Sequence, residues 1–152
     1  GSDSWILGHT TVALNEVGAE WTPETPLRRA IDRRQAQVEI DALVALMLGV
    51  TADELCTVYR TQFAVLRGYD KDKYIYDANG RLAPTAVLQT WRKKGNAVTA
   101  DDRTHTNAAG NTYVYELPFT AYDREADMRS AYAAFEAGLA SSPAQQGAES
   151  YA

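Results

Sequence analysis

Apolar residues recur at helical spacing through the first third of the chain. This spacing predicts a long helix over residues 26–48. Gly49 is expected to end it, because glycine readily adopts the left-handed conformation found after a helix. The second half of the helix, residues 42–48, is apolar all round and is therefore expected to be buried. The positions that carry the pattern are Leu27, Ile31, Val38, Ala42, Leu43 and Leu46.

Capping residues and shorter apolar repeats predict further helices. Thr51 and Glu54 have the spacing of a capping box, in which each side chain bonds the backbone N–H of the other residue. Pro84 and Asp123 are both suited to helix starts. These further helices are expected over residues 52–64, 85–93 and 123–139.

Between the helices the pattern changes to that of short strands. Residues 74–76 precede Asn79-Gly80, a dipeptide whose residues accept the positive φ angles of a tight hairpin turn. Residues 112–117 alternate between apolar and polar positions, as a strand does. We therefore predict an α+β fold, with three to four helices and one or two small β-hairpins, and no doubly wound sheet. Polar loops are expected over residues 67–73 and 96–111.

Length and composition suit one soluble domain. The chain has 152 residues, of which 45% are hydrophobic and 23% charged. We expect this domain over residues 3–140 and a flexible tail over 141–152, where Ser, Ala, Gln and Gly dominate. Gly1-Ser2 resembles a cloning remnant, so the domain is expected to have been excised from a larger protein.

The cellular setting is constrained by cysteine content and hydropathy. Cys56 is the only cysteine, so no internal disulfide can form, which favours a reducing, cytoplasmic location. The sequence has no run of about 18 apolar residues, and we expect no membrane partner.

Charge is distributed unevenly along the chain. The net charge is −5, yet residues 55–95 hold eight basic and three acidic residues. The acidic excess lies on both sides, in residues 1–54 and 96–152. Such a polarised distribution determines binding more than net charge does.

Residue types that support catalysis are sparse. His9 and His105 lie far apart in sequence. Cys56 follows Leu55 early in the second predicted helix, where a small buried hydrophobe is the simpler interpretation. No glycine-rich cluster precedes a helix to hold a phosphate. We therefore predict no metal, no cofactor and no enzymatic activity; an enzyme would need Cys56 or a histidine to meet a carboxylate through the fold.

Basic residues alternate with aromatic ones in the middle of the chain. Cations neutralise phosphates and aromatic faces stack on sugars or bases, which favours nucleic-acid binding. Equally, the aromatics would pack a small core that the cations surround. The segment 91–94 is the best phosphate-contact candidate, because its three cations exceed what a helix C-terminus needs. The candidate nucleic-acid-binding residues are Arg60, Arg67, Tyr69, Lys71, Lys73, Tyr74, Tyr76, Arg81, Arg92, Lys93 and Lys94.

Residues 34–56 resemble a segment near the C-terminus of large DNA adenine methyltransferases. These bacterial enzymes belong to restriction–modification and phage-defence systems and include fused type II and BREX-like methylases. Where that family usually has a tyrosine before the glycine, this chain has Leu48. The matching residues are Glu39, Ile40, Asp41, Ala42, Leu43, Val44, Ala45, Gly49, Thr51, Asp53, Glu54 and Leu55.

The catalytic motifs of that family do not occur in this chain. It has neither the glycine motif for S-adenosylmethionine nor the Asn/Asp-Pro-Pro-Tyr/Phe motif for the flipped adenine. The resemblance therefore implies a non-catalytic C-terminal accessory domain that contacts DNA, the rest of a parent methyltransferase, or both. The alternative is a docking or dimerisation module without DNA contact, in which Val44, Met47 and Leu48 face a protein partner.

Overall fold

The computed structural model describes residues 29–141. Within that range the chain forms five α-helices and two small antiparallel sheets of two strands each. This is the predicted α+β fold. The helices are α1 (Ala30–Met47), α2 (Ala52–Gln62), α3 (Ala64–Asp72), α4 (Thr85–Lys94) and α5 (Arg124–Ala140), and the strands are β1 (Ile75–Tyr76), β2 (Thr104–Thr106), β3 (Thr112–Val114) and β4 (Thr120–Ala121).

Two of the predicted loops contain regular structure. Most of the segment 67–73 lies in α3, whose only buried residue is Asp70, so no apolar repeat reveals the helix. The segment 96–111 contains β2, whose three residues are all polar or aromatic and lie on a largely exposed hairpin. Both predictions of a loop were wrong for the same reason: these elements bury too few apolar side chains to leave a periodic pattern.

The chain divides into two compact units. The described part of the first consists of residues 32–64 and 123–141, and the second consists of residues 29–31 and 65–122. The prediction of a single domain over residues 3–140 stays a prediction. The predicted flexible tail, residues 141–152, lies outside the described residues except for Ser141. The start of the first predicted helix, residues 26–28, also lies outside them.

Small side chains line the interior of the first unit. On α1, Val38, Ala42 and Ala45 recur every three or four residues and are buried. On α5, Ala131 and Ala134 are buried in the same way. Small residues let helices approach closely. Tyr59 and Met128 add larger side chains to this interior. Ion pairs between the helices of this unit are Arg34–Asp127, Arg60–Glu125 and Arg129–Asp53.

The large apolar side chains at the end of α1 remain on the surface. Val44 is 47% exposed, and Met47 and Leu48 are each 74% exposed. The prediction that the whole of residues 42–48 is buried was therefore wrong. The helix buries its alanines and leaves these larger residues outside, because its buried side already fits against the rest of the unit through small side chains.

The second unit has its own apolar core. β1 pairs with β4, and the hairpin of β2 and β3 pairs Thr104 with Val114 and His105 with Tyr113. The buried residues of this core cluster are Ile75, Ala83, Val87, Leu88, Tyr115 and Phe119. Trp91, Tyr113 and Leu117 are partly buried and pack against them.

Two turns of this unit have the same construction. In residues 77–81, the backbone N–H of Asp77, the first residue, donates to the carbonyl of Arg81, the fifth. The carbonyl of Asp77 accepts a hydrogen bond from the N–H of Gly80, the fourth. Residues 107–111 repeat both hydrogen bonds, with Gly110 in the fourth place. The two glycines have φ angles of 80° and 85°, and no other residue type has a positive φ in residues 29–141. The predicted Asn-Gly turn thus exists, but only its glycine takes the left-handed conformation.

We predict that Gly80→Ala destabilises the protein much more than Gly110→Ala. Both changes place a side chain at positive φ, which costs roughly 1–2 kcal/mol. A Cβ at position 80 would also collide with the Ile31 side chain, whereas one at position 110 meets nothing within 4 Å. Urea unfolding of the two variants measures the difference, and equal losses would contradict the close packing of this turn.

Glu39 is a buried acid in the interior of the first unit. Its side chain is fully shielded from solvent, and its carboxylate accepts no hydrogen bond of good geometry, with the Gln35 side chain as a weak neighbouring partner. Burial raises the pKa of Glu39 from 4.5 to about 7, and the nearby Gln35 side chain offsets only part of this rise. The folded protein therefore retains a proton on Glu39 that the unfolded chain releases above pH 4.5.

This proton makes stability depend on pH. The Glu39 contribution to the free energy of unfolding falls as pH rises from 4.5 to about 7 and stays low above that. We predict that Glu39→Gln stabilises the protein by roughly 1–3 kcal/mol at pH 8 and by little at pH 4. Urea unfolding at both pH values tests this, with Glu136→Gln on the exposed side of α5 as control. An equal gain in the free energy of unfolding at the two pH values would contradict the raised pKa of Glu39.

Candidate nucleic-acid interface

The C-terminal turns of α3 and α4 meet in the second unit. The guanidinium of Arg92, in the last turn of α4, donates a hydrogen bond to the carbonyl of Asp72, the last residue of α3. This contact places Arg92 beside the end of α3, which Lys71 and Lys73 flank in sequence. Cations are favoured there because a helix C-terminus carries partial negative charge. We call the cations on and beside these two helix ends the basic surface. Its members are Lys71, Lys73, Arg92 and Lys93, with Arg67 one helical turn before Lys71.

Most of these cations are available to a ligand. Arg67, Lys71 and Lys93 are exposed and form no ion pair within residues 29–141. The ammonium of Lys73 lies 4.6 Å from the centre of the Tyr69 ring, and that ring meets Tyr74 edge-on at 5.7 Å. Tyr69 and Tyr74, with Lys73 beside them, therefore add aromatic rings to this cationic segment of the chain.

Two of the six acids of the second unit form ion pairs, Asp70 and Asp77 are buried, and Asp72 and Asp101 are exposed. Lys94 binds both carboxylate oxygens of Asp102, at 3.0 and 3.1 Å. The backbone N–H of Thr99, and then Lys94, lower the pKa of Asp102, which stays ionised. Glu116 pairs with Arg103 at 3.4 Å. Residues 29–31 and 65–122 hold nine basic and six acidic residues, so this unit is positive in a chain whose net charge is −5.

The carboxylate of Asp77 is used internally. It is buried and accepts hydrogen bonds from the backbone N–H groups of Asn79, Arg81 and Glu116, at 2.8–3.0 Å. Its charge is therefore matched by peptide dipoles and does not oppose the basic surface.

Several predicted site residues lie away from the basic surface. Tyr76 is only 5% exposed and packs edge-on against Tyr122, so it serves the core, and we remove it from the candidate contacts. Arg81 stacks over the Tyr113 ring at 4.6 Å. Arg60 belongs to the first unit, where it donates to the Cys56 carbonyl and pairs with Glu125, each at 3.3 Å.

One exposed hairpin was predicted only in part, because its second strand was expected from the sequence and its first strand was not. The hairpin of β2 and β3, residues 104–114, contains no charged residue. His105 and Tyr113 are half-buried, whereas the remaining residues of the hairpin are exposed. The signal that would have found it is Asn107 followed by Gly110, which matches the spacing of Asp77 and Gly80 in the other turn.

The described residues offer little reaction chemistry. Cys56 is fully buried, as predicted, and its Sγ lies 3.9 Å from the carbonyl oxygen of Glu125. Burial raises the pKa of its thiol, which disfavours the nucleophilic thiolate. Within residues 29–141 no three His, Cys, Asp or Glu side chains gather as metal ligands would.

None of the helices between residues 29 and 141 has the length and apolar content needed to cross a lipid bilayer. No protein-family model, curated protein or solved structure matches this chain.

Proposed function

We propose that the chain is a non-catalytic accessory domain that holds a nucleic-acid duplex by its phosphates. The observation that supports this proposal is the Arg92–Asp72 contact, which joins the ends of two helices that both carry cations in the last turn. The partner is DNA, and the setting is the bacterial cytoplasm, where a DNA-modifying enzyme works.

Free surface cations are suited to this task. Lys71 and Lys93 have no internal ion pair to give up, so a phosphate gains its full attraction. Each phosphate that a cation neutralises releases counterions from the duplex, and affinity then falls as salt rises. Tyr69 and Tyr74 add faces that contact sugars beside the phosphates.

The resemblance of residues 34–56 to adenine methyltransferases supports a place in such an enzyme. A methyltransferase must take its target base out of the stack, which requires neighbouring domains to grip the backbone. In this proposal the catalytic motifs lie in a parent protein, and the chain supplies backbone contacts. The remaining domains of that parent are its protein partners.

Binding of a labelled mixed-sequence duplex, followed by fluorescence anisotropy over a range of salt, tests the basic surface. We predict that Lys71→Gln with Lys93→Gln weakens binding to all sequences alike. The slope of log affinity against log salt should fall in magnitude by about 2, since each lost phosphate contact removes about 0.9.

The control removes the same charge from the first unit. Arg33→Gln with Arg129→Gln leaves the basic surface intact and should change the slope little. Equal losses in the two double variants would mean that net charge alone governs binding. No salt-dependent binding by the wild-type chain would refute the proposal.

A second candidate function is docking on another protein through α1. Ile40, Val44, Met47 and Leu48 follow the spacing of one helix face, and each is at least 47% exposed. An apolar stripe of this kind on a surface helix marks an interaction site. A second copy of the chain, with the same stripe, is the simplest partner.

Sedimentation velocity at increasing protein concentration tests this second function. We predict that the wild-type chain dimerises reversibly and that Met47→Lys with Leu48→Lys is a monomer. The unfolding free energy of the variant should be unchanged, because both side chains are already in water. Wild-type protein that stays monomeric at every concentration would contradict self-association.

A further inference from the structure

We propose that the hairpin of β2 and β3 enters the major groove of B-form DNA and contacts base edges. The inference rests on the proposed function: the basic surface holds phosphates, and the hairpin reads the groove. It assigns a role to residues 104–114, which the phosphate contacts leave unexplained.

The chemistry of the hairpin differs from that of the basic surface. Its exposed residues are neutral and include three threonines and two asparagines. Base edges in the major groove present donors, acceptors and the thymine methyl group, and neutral polar and small apolar side chains complement them. Cations positioned by α3 and α4 are instead suited to phosphates.

The dimensions of the hairpin fit one groove and not the other. Two paired strands lie about 4.8 Å apart, and three residues of strand extend about 10 Å. The major groove is about 12 Å wide and 8.5 Å deep and admits a two-stranded ribbon, whereas the minor groove is about 6 Å wide. A-form RNA has a deep, narrow major groove that side chains cannot read, so the geometry favours DNA.

The hairpin is held rigidly before any ligand binds. The hydroxyls of Thr106 and Thr112 lie 2.7 Å apart across the strands. Asn107 closes the turn by accepting the N–H of Asn111 on its side-chain oxygen at 3.0 Å. At the base, Arg81 stacks over Tyr113. An element ordered in advance loses little conformational entropy on binding.

The tip carries the groups that would meet the bases. The Asn111 side chain is exposed and bonds no residue in the described range. An asparagine amide in the major groove matches the donor and acceptor of adenine. Ala108 and Ala109 are exposed and small, so the tip can approach closely and contact thymine methyl groups.

The hairpin is anchored next to the cations of α4. Lys94 ends α4 and binds Asp102, two residues before β2 begins. Arg92 and Lys93 thus lie close in sequence to the residue that anchors the hairpin. Phosphates held at this helix end would flank a groove that the hairpin occupies.

Blocking one groove at a time tests the inference on the full chain. Anisotropy is measured with a plain DNA duplex and with one whose cytosines carry glucosylated 5-hydroxymethyl groups, which fill the major groove. We expect binding to the filled duplex to be at least about fivefold weaker with a similar salt slope, as expected for the loss of a good base contact. A minor-groove ligand such as netropsin should not compete.

Matched variants identify the hairpin as the reader. Asn111→Ala should weaken binding to the plain duplex. The ratio of the affinities for the plain and the filled duplex should therefore be smaller for this variant than for the wild type. Asn79→Ala removes an exposed asparagine from the other turn of this construction, at its third place and not its fifth, and should bind as the wild type does.

Each contrary result has a distinct meaning. Equal binding to plain and filled duplexes, with salt dependence retained, would overturn the hairpin's role and leave the phosphate contacts standing. Equal binding to an RNA duplex would overturn the choice of B-form DNA. Absence of binding to every duplex would overturn the proposed function and this inference with it.

Discussion

The hydrogen bond from Arg92 to the carbonyl of Asp72 is the contact on which the proposed interface depends. Two short helices that each end in cations would otherwise present separate, weak charges. The guanidinium donates to a carbonyl that has no partner within its own helix, and this bond joins one helix end to the other. The cost of placing cations close together is reduced because both helix ends are negative poles.

The two units balance packing and charge differently. The first buries several alanines beside Val38, Tyr59 and Met128, while the larger apolar side chains at the end of α1 remain outside. The second has an aromatic and aliphatic core, pairs Asp102 and Glu116 with cations, and leaves Asp72 and Asp101 exposed.

The sequence predicted an element well where residues close together in the chain determine its position. The capping box of Thr51 and Glu54 and the cap of Asp123 place α2 and α5 within one or two residues of their observed starts. By contrast, α3 and β2 bury almost nothing apolar, and no periodicity exposes them. The end of α3 instead contacts Arg92, 20 residues along the chain from Asp72, and no local pattern encodes such a contact.

The candidate site was predicted only in part, because the role of several of its side chains depends on residues far away in the sequence. Tyr69 and Tyr76 look alike in sequence, yet the first is exposed and the second is buried against Tyr122. Arg60 resembles the other cations, but its partner Glu125 comes from a distant helix. Side chains whose role depends on a distant partner cannot be sorted by alternation or charge alone.

The most direct test of the central claim is an NMR titration of the isotope-labelled chain with a short DNA duplex. We expect backbone amides in the last turns of α3 and α4 and in the hairpin of β2 and β3 to shift together and to saturate with one affinity. Shifts confined to α1, or an unchanged spectrum at low salt, would contradict it.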